Sequence, residues 1–275
     1  MITSPSNPRV ALLRALHSPK GRAEGRAFLV EGPHVVGAAL DAGVFPFLIL
    51  YDAASLERTA EGRALLARIL QHAETGQIET LEASPSALAR ACDTQTPQGV
   101  VGALALDEVA PEKLRARRRG RFRPLLLVLD ELSDPGNLGT ILRSALAADV
   151  DEVLLTPGSV DAYHPKVVRA AAGVHVRLPI RPEQSWEQIA ERLAGAPKTA
   201  QTLLAEAGGE RPYYAFDLTR RTALLIGNEA RGPSAEARRM ATASVSIPLS
   251  NGVESLNAAI AASILLFEAA RQQRG

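Results

Sequence analysis

Three short stretches of the sequence combine residue types that can hold a small ligand and act on it. LDELSDPGNLGTILRSA (129–145) carries Asn137, Gly139 and Arg143 in the pattern N-x-G-x-x-x-R. LLIGNEARGPS (224–234) carries Gly227, Asn228, Glu229 and Arg231. IPLSNGVESLNAAIAASILLFEA (247–269) carries Ser255 and Asn257. An arginine offers a permanent cation to a phosphate or a developing oxyanion. An asparagine amide donates and accepts at once, and a glutamate supplies an acceptor for either. Each stretch also has an ordinary reading. A glycine after a strand is a turn, Asn137 is a helix cap, Glu229 and Arg231 are a surface ion pair, and Ser255 and Asn257 simply begin a helix.

Other reactive residue types lack the spacing their chemistry needs. His17, His34, His72, His164 and His175 show no metal-ligand pattern. Asp130, Glu131 and Asp134 read as turn and capping residues rather than magnesium ligands. The single cysteine, Cys92, excludes a disulfide framework and a thiolate cluster, and reads as a small buried apolar group. A nicotinamide-dependent oxidoreductase is excluded because no G-x-G-x-x-G follows the first strand.

The elements that must position these residues follow from apolar patterning. Strands are predicted over 27–32, 47–51, 78–83 and 100–106, with helices over 33–42, 55–72 and 84–91. This alternation predicts a first α/β unit with a mainly parallel sheet. PLLLVLD (124–130) and TALLIGN (222–228) are continuous apolar runs, as in strands buried on both faces. Further strands are predicted over 151–156, 176–180, 199–204 and 244–250. Helices are predicted from Asn137 onward and over 164–173, 185–194, 234–241 and about 255–273. The last is expected to be apolar along Leu256, Ile260, Ile264 and Phe267. The three chemical stretches therefore each follow a buried strand, at the edge where ligands gather in open α/β sheets.

A hydrophobic fraction of 46% with 22% charged residues rules out wholesale disorder, and 275 residues allow one large or two ordinary domains. No apolar run reaches the ~18–20 residues of a membrane span, and the first residues lack a signal-peptide core. A cytoplasmic protein is expected. The net charge of +1 hides a strong segregation. Residues 1–30 carry +4, 31–110 carry −7, 111–123 carry +6 and the remainder −2. The segment 107–123, with its arginine cluster and no apolar period, reads as a basic linker. Only four of the 31 basic residues are lysine, a bias that suits phosphate contacts and that GC-rich codon usage also produces.

Taken together and in order, the three motifs resemble the SpoU (TrmH-like) branch of the SPOUT RNA ribose 2′-O-methyltransferases. VVRAAAG (167–173) resembles a further landmark of that family, with Ala171 where serine is usual. The third motif has Leu249 where methionine is usual and Ala258–Ala259 where Val–Ser is common, both packing changes. The start of the chain, SPSNPRV and then GRAFLVEGPHVV (25–36), is similar to the ribosomal-protein-L30e-like substrate-binding domain that precedes some members. The organisation implied is an L30e-like domain over 1–106, the linker 107–123, and a knotted methyltransferase domain over 124–275.

The resemblance implies an α/β fold with a deep trefoil knot, which no sequence pattern would suggest. It also implies S-adenosylmethionine as cofactor, homodimerisation through the knotted domain, and no metal or membrane partner. Gly227, Asn228, Ile247, Pro248 and Leu256 fall on the cofactor side, with Gly227 admitting close backbone approach. Arg143 is the catalytic candidate. A guanidinium is a permanent cation, which disfavours a role as base and favours a clamp on phosphate and developing alkoxide. Asn137 is implied to orient the cofactor or Arg143, Glu229 to hold Arg143 or Asn137, and Ser255 and Asn257 to touch the ribose or complete the network. Arg9, Arg14, Lys20, Arg22 and Arg26 in the first unit, and Arg117, Arg118 and Arg119 in the linker, are candidate RNA contacts. The activity implied is 2′-O-ribose methylation of RNA, with 23S-type ribosomal RNA as the expected substrate. A tRNA methyltransferase and a non-catalytic RNA-binding protein of the same fold are the alternatives.

Overall fold

The computed structural model describes residues 1–117, 125–195 and 201–274. The chain begins with α1 (Pro8–Ala15), α2 (Pro19–Gly25), β1 (Ala27–Glu31), α3 (Pro33–Asp41), β2 (Leu48–Tyr51) and α4 (Ala53–Leu56). Next come α5 (Ala60–Glu74), β3 (Glu79–Glu82), α6 (Pro85–Ala91), β4 (Val100–Ala105), a 3-10 turn (Leu106–Val109) and α7 (Pro111–Arg117). The chain continues with β5 (Leu125–Leu129), α8 (Pro135–Ala147), β6 (Glu152–Leu155), α9 (Pro165–Ala170), β7 (Ile180–Arg181) and α10 (Trp186–Ala194). It ends with β8 (Gln201–Ala205), β9 (Arg211–Pro212), β10 (Thr222–Ile226), α11 (Ala235–Met240), β11 (Ala243–Ser246) and α12 (Ala258–Arg274). Two compact units result: Met1–Lys113 with Tyr163–Val176, and Leu114–Ala162 with Arg177–Gly275.

In the first unit the strand order is β1-β4-β2-β3. β4 runs antiparallel to both β1 and β2, and only β2 and β3 are parallel. The expected mainly parallel sheet is therefore corrected to a mixed one: β4 inserts between β1 and β2 against their direction. Helices α1 and α2 escape sequence patterning because Asn7–Pro8 and Ser18–Pro19 look like turn dipeptides. They are helix starts. The Asn7 and Ser18 side chains accept from the N–H groups of Arg9 and Gly21, and proline sits where its missing donor costs nothing. Val10 and Leu13 of α1 then bury against Leu29, Leu50 and Leu88.

The segment Tyr163–Val176 packs within this first unit. The rings of Tyr163 and His175 lie 5.0 and 6.0 Å from that of Phe28. Arg169 donates to Asp93 at 2.6 Å and stands 4.0 Å from Glu31. The VVRAAAG landmark thus meets β1 and the end of α6. The linker expected over 107–123 carries structure in its described part, the 3-10 turn and α7, with Val109 and Leu114 buried at 1% and 2%. Two apolar anchors five residues apart make no stripe, so periodicity does not reveal them. Arg118 and Arg119 lie outside the described residues.

The second unit is built on a sheet of order β7-β6-β5-β10-β8-β11-β9 in which every neighbouring pair is parallel. β5 and β10 are buried along their whole length, as their apolar runs predict. The register sets Ile226 beside Leu129, Leu225 beside Leu204 and Ala205 beside Val245. Residues following these strands, Asp130, Gly227, Glu206 and Ile247, therefore emerge at one edge. Of the stretch 176–180 only Ile180 is strand: Val176 ends a 3-10 turn (Val174–Val176), and β7 starts at Ile180.

The buried face of α12 also differs from expectation. Ala262, Leu265, Leu266 and Ala269 are buried, while Ile260 and Phe267 are 51% and 48% exposed. α12 packs against α8, where the hydroxyls of Ser144 and Ser263 meet at 2.7 Å. Small side chains let the two helices approach, so alanines and serine share the buried side of α12 with Leu265 and Leu266, while Ile260 and Phe267 point away. Among the described residues no helix is long and apolar enough to cross a membrane.

Candidate active site

The three motif loops meet at the carboxyl edge of the second unit's sheet. α8 begins at Pro135, and its cap is Asp134, whose Oδ1 accepts from the Asn137 N–H at 2.7 Å. Asn137 is thereby freed from capping. Its Nδ2 donates to Glu229 Oε1 at 2.9 Å, and its Oδ1 accepts from Asn257 Nδ2 at 2.9 Å. Asn257 is the residue that caps, with Oδ1 accepting from the N–H groups of Ala259 and Ile260 at 2.9 and 3.3 Å.

This chain has only one self-consistent polarity. Backbone N–H groups can only donate, so Asn257 must turn Oδ1 toward α12 and Nδ2 toward Asn137. Asn137 must then present Oδ1, which leaves its Nδ2 for a group that only accepts, the Glu229 carboxylate. The second carboxylate oxygen accepts from the backbone and hydroxyl of Ser133, both at 3.4 Å. Partial burial would raise the Glu229 pKa. The Asn137 amide and the N–H groups of Glu229, Ser133 and Asp134 outweigh it and hold the carboxyl below its usual range.

The loop after β10 is fixed as firmly. A Cβ on Gly227 would fall 2.5 Å from the Pro233 nitrogen and 2.6 Å from its Cα. Glycine is thus demanded by the loop folding on itself, before any ligand is considered, which changes the reason expected for it. Asn228 donates to the Glu131 carbonyl at 2.7 Å and accepts from the N–H groups of Ala230 and Arg231. Glu131 has φ of +52°, rare for a side-chain-bearing residue. Its N–H donates to Thr156, its carbonyl accepts from Asn228, and its carboxylate pairs with Arg231 at 2.5 Å. Buried Asp130 accepts from the Ser234 N–H at 2.7 Å, so it and Glu131 serve as the turn residues expected.

Between these loops lies a cavity of about 240 Å³. Ile226, Val245, Ile247, Leu249 and Leu256 supply its apolar wall, and Gly227, Asn228, Glu229 and Ser255 also line it. Its second carboxylate is Glu206, at the end of β8, which pairs with Arg238 of α11. Pro248, between the lining residues Ile247 and Leu249, is exposed. Arg143 is exposed on α8, two turns beyond Asn137, and among the described residues it forms no ion pair. Glu229 holds Asn137, not Arg143.

Residues 124–267 match the SpoU rRNA Methylase family, and residues 7–102 match the MRM3-like substrate binding domain. The chain belongs to the SpoU family. It is 35% identical to an uncharacterized tRNA/rRNA methyltransferase of Synechocystis sp., across 99% of this chain and 94% of that one. It is 32% identical to the 23S rRNA (guanosine(2553)-2′-O)-methyltransferase RlmP of Bacillus subtilis, across 97% of each. The crystal structure of the SpoU methyltransferase AviRb from Streptomyces viridochromogenes, solved with AdoMet, superposes with a TM-score of 0.79 at 30% identity over 98% of this chain and 99% of that one.

Within this SpoU-family chain, the basic residues expected to meet RNA divide into classes. Arg22 is corrected: it is 3% exposed, and its Nη1 donates to the carbonyls of Leu16 and His17, closing the end of α1. Arg9, Lys20 and Arg26 are exposed and paired with Glu79, Glu24 and Asp107 at 2.8, 3.8 and 2.7 Å. Such surface pairs are worth little and yield readily to a phosphate. Arg14 and Arg117 are exposed. Cys92 is buried, and burial with Glu31 nearby pushes its thiol pKa up, away from reactivity. Sequence reasoning missed Glu206 and Ser133, and it missed the direct link between Asn137 and Asn257. A carboxylate directly after a buried strand was the available signal for Glu206.

Proposed function

We propose that this protein is an S-adenosylmethionine-dependent ribose 2′-O-methyltransferase of RNA, acting in the cytoplasm on ribosomal RNA of the 23S type. The observation that carries the reading is the hydrogen-bonded chain from Asn257 through Asn137 to Glu229 at the rim of an apolar-walled cavity. The cavity's chemistry suits an adenosyl group: aliphatic side chains for a base, backbone groups from a glycine loop, and a carboxylate for hydroxyls. Ile247, Leu249, Leu256 and Gly227 would hold it. When bound, the cofactor supplies an electrophilic methyl on a sulfonium.

This chain's residues do the rest. A ribose 2′-hydroxyl is a weak nucleophile at neutral pH and must be positioned and its developing charge met. Exposed Arg143, on α8 two turns beyond Asn137, is available to a phosphate and to the developing alkoxide. Its guanidinium remains protonated, so it serves as clamp and electrostatic stabiliser rather than base. Glu229 keeps Asn137 in place. Ser255, on the cavity wall, reaches the substrate side. The first unit and the segment that follows it would recognise folded RNA through Arg9, Arg14, Lys20, Arg26, Arg117, Arg118 and Arg119.

The exposed Ile260 and Phe267, with Ile264 between them, form an apolar face on α12 that supports homodimerisation through the second unit. Labelled methyl transfer to ribosomal RNA and to tRNA, followed by mapping of 2′-O-methyl sites, tests the proposal. Transfer to ribosomal RNA alone is expected. Label in tRNA alone would overturn the substrate, and cofactor binding without transfer to either RNA would favour a non-catalytic RNA-binding protein.

A further inference from the structure

Two carboxylates face the cavity, and their oxygens are not equally occupied. Glu229 spends Oε1 on Asn137 and Oε2 on Ser133. Glu206 spends Oε1 on Arg238, and among the described residues its Oε2 takes part in no hydrogen bond. Its backbone is fixed: the N–H donates to the Val245 carbonyl at 3.0 Å, and the carbonyl accepts from the Gly209 N–H at 3.1 Å. The side chain is 22% exposed, and it belongs to the cavity wall. Arg238 approaches from α11, whose start is capped by Ser234. One oxygen of the carboxylate is thus held by a guanidinium, and the residue that carries it lines the cavity.

The position of Glu206 selects its ligand. In the strand order β5-β10-β8-β11, Asn137 follows β5 and Glu229 follows β10, whereas Glu206 follows β8. Strands lie about 4.8 Å apart, so Glu206 stands roughly 10 Å from the β5 end, where the acceptor is expected. The apolar side chains of Val245, Ile247 and Leu249 come from β11 and the loop beyond it. An adenosyl cofactor reacting on the β5 side with its base against the β11 side would place its sugar between the two, near the end of β8. A carboxylate oxygen accepts strongly from hydroxyl groups, and a vicinal diol offers it two donors.

We propose that Glu206 is the cofactor's ribose acceptor, binding the 2′- and 3′-hydroxyls of the adenosyl group with Arg238 as its positioning residue. This inference rests on the cofactor assignment made above and extends it to a residue outside the three motifs.

Calorimetric titration of the full chain with three probes tests it: S-adenosylhomocysteine, its 2′,3′-dideoxyribose analogue, and 5′-methylthioadenosine, which keeps the diol but lacks the amino acid. Glu206→Ala is expected to weaken S-adenosylhomocysteine and 5′-methylthioadenosine by about tenfold or more, the usual worth of a charge-assisted hydrogen bond. It should leave the dideoxy analogue unchanged, and that unchanged binding also reports an intact fold. Glu206→Gln, which keeps an acceptor, should lose less. An equal loss for all three probes would overturn the proposal. So would a loss confined to S-adenosylhomocysteine and the dideoxy analogue, which would assign Glu206 to the amino-acid ammonium. If the wild-type chain binds none of the three, the cofactor assignment itself falls.

Discussion

The two edges of the seven-stranded sheet use polar groups in opposite ways. At the carboxyl edge, Asn257, Asn137 and Glu229 form a partly exposed chain in which two of three members are neutral amides. At the amino edge, Glu152 begins β6 with no exposed surface and is surrounded by Arg181 at 2.5 Å, Arg115 at 3.2 Å and Arg192 at 3.4 Å. Charge is buried where only architecture is needed: the cluster ties α7, β7 and α10 to β6. Amides are placed where a substrate must enter, because they fix direction without the desolvation cost of a buried ion.

The largest expected effect belongs to the amino edge. Glu152→Ala leaves guanidinium groups around an uncompensated site and should cost about 3–5 kcal/mol of unfolding free energy. Chemical denaturation measures this, and at temperatures where the variant stays folded its S-adenosylmethionine affinity should match wild type. A loss of affinity as large as the loss of stability would mean the two edges are not separable. Arg143→Ala should be silent in stability and lower methyl transfer by about 10² or more, the scale of a lost oxyanion contact. Calorimetry should find cofactor binding within a few-fold of wild type. More than a tenth of the wild-type single-turnover rate in this variant would remove Arg143 from the catalytic role.

A subtler change separates capping from orientation at the carboxyl edge. Asn257→Asp keeps an acceptor for the Ala259 and Ile260 N–H groups, and its charge suits a helix start. It loses the donor to Asn137. Stability should stay within about 0.5 kcal/mol while transfer falls by about tenfold, one hydrogen bond's worth. Asn257→Ala loses the cap as well and should cost about 1 kcal/mol in addition. Equal rates in wild type and Asn257→Asp would show that the polarity of the chain does not matter.

The smallest effect is in acid. The folded-state pKa of Glu229 lies below its unfolded value. Its contribution to stability is therefore complete above the ordinary carboxylate range and is lost as pH falls through the folded pKa. Unfolding followed from pH 6 downward should find that Glu229→Gln lacks a small acid-side decline that wild type has. Parallel curves for the two proteins would remove Glu229 as a contributor.

Much of this contrast was legible in residue order. Apolar runs marked β5 and β10, and the three motifs named Asn137, Glu229 and Asn257 before any geometry was known. Their pairing was not legible, because it depends on Asp134 taking over the cap that Asn137 was free to provide. The amino-edge cluster was invisible for a different reason. Arg115, Glu152, Arg181 and Arg192 are scattered charges that no local period connects, and the sheet order alone unites them. Glycine at 227 was noticed with a reason drawn from the ligand, whereas the crowding of Pro233 is sufficient. On α12 the bulk of Ile260 and Phe267 suggested the buried face, and close helix packing favoured alanine instead.

The Tyr163–Val176 segment also imposes a timetable on synthesis. Translation delivers Phe28 and Glu31 early, yet Tyr163, His175 and Arg169, which pack beside them, follow only after β5, α8 and β6 have been made. A nascent chain that has not yet reached residue 176 cannot complete the first unit, even though all four strands of its sheet are already outside the ribosome. Domains ordinarily fold in the order they emerge. Here the amino-terminal one must wait for a piece of polypeptide encoded inside its successor, and a ribosome stalled between the two would leave a chain with an aromatic core still missing its last members.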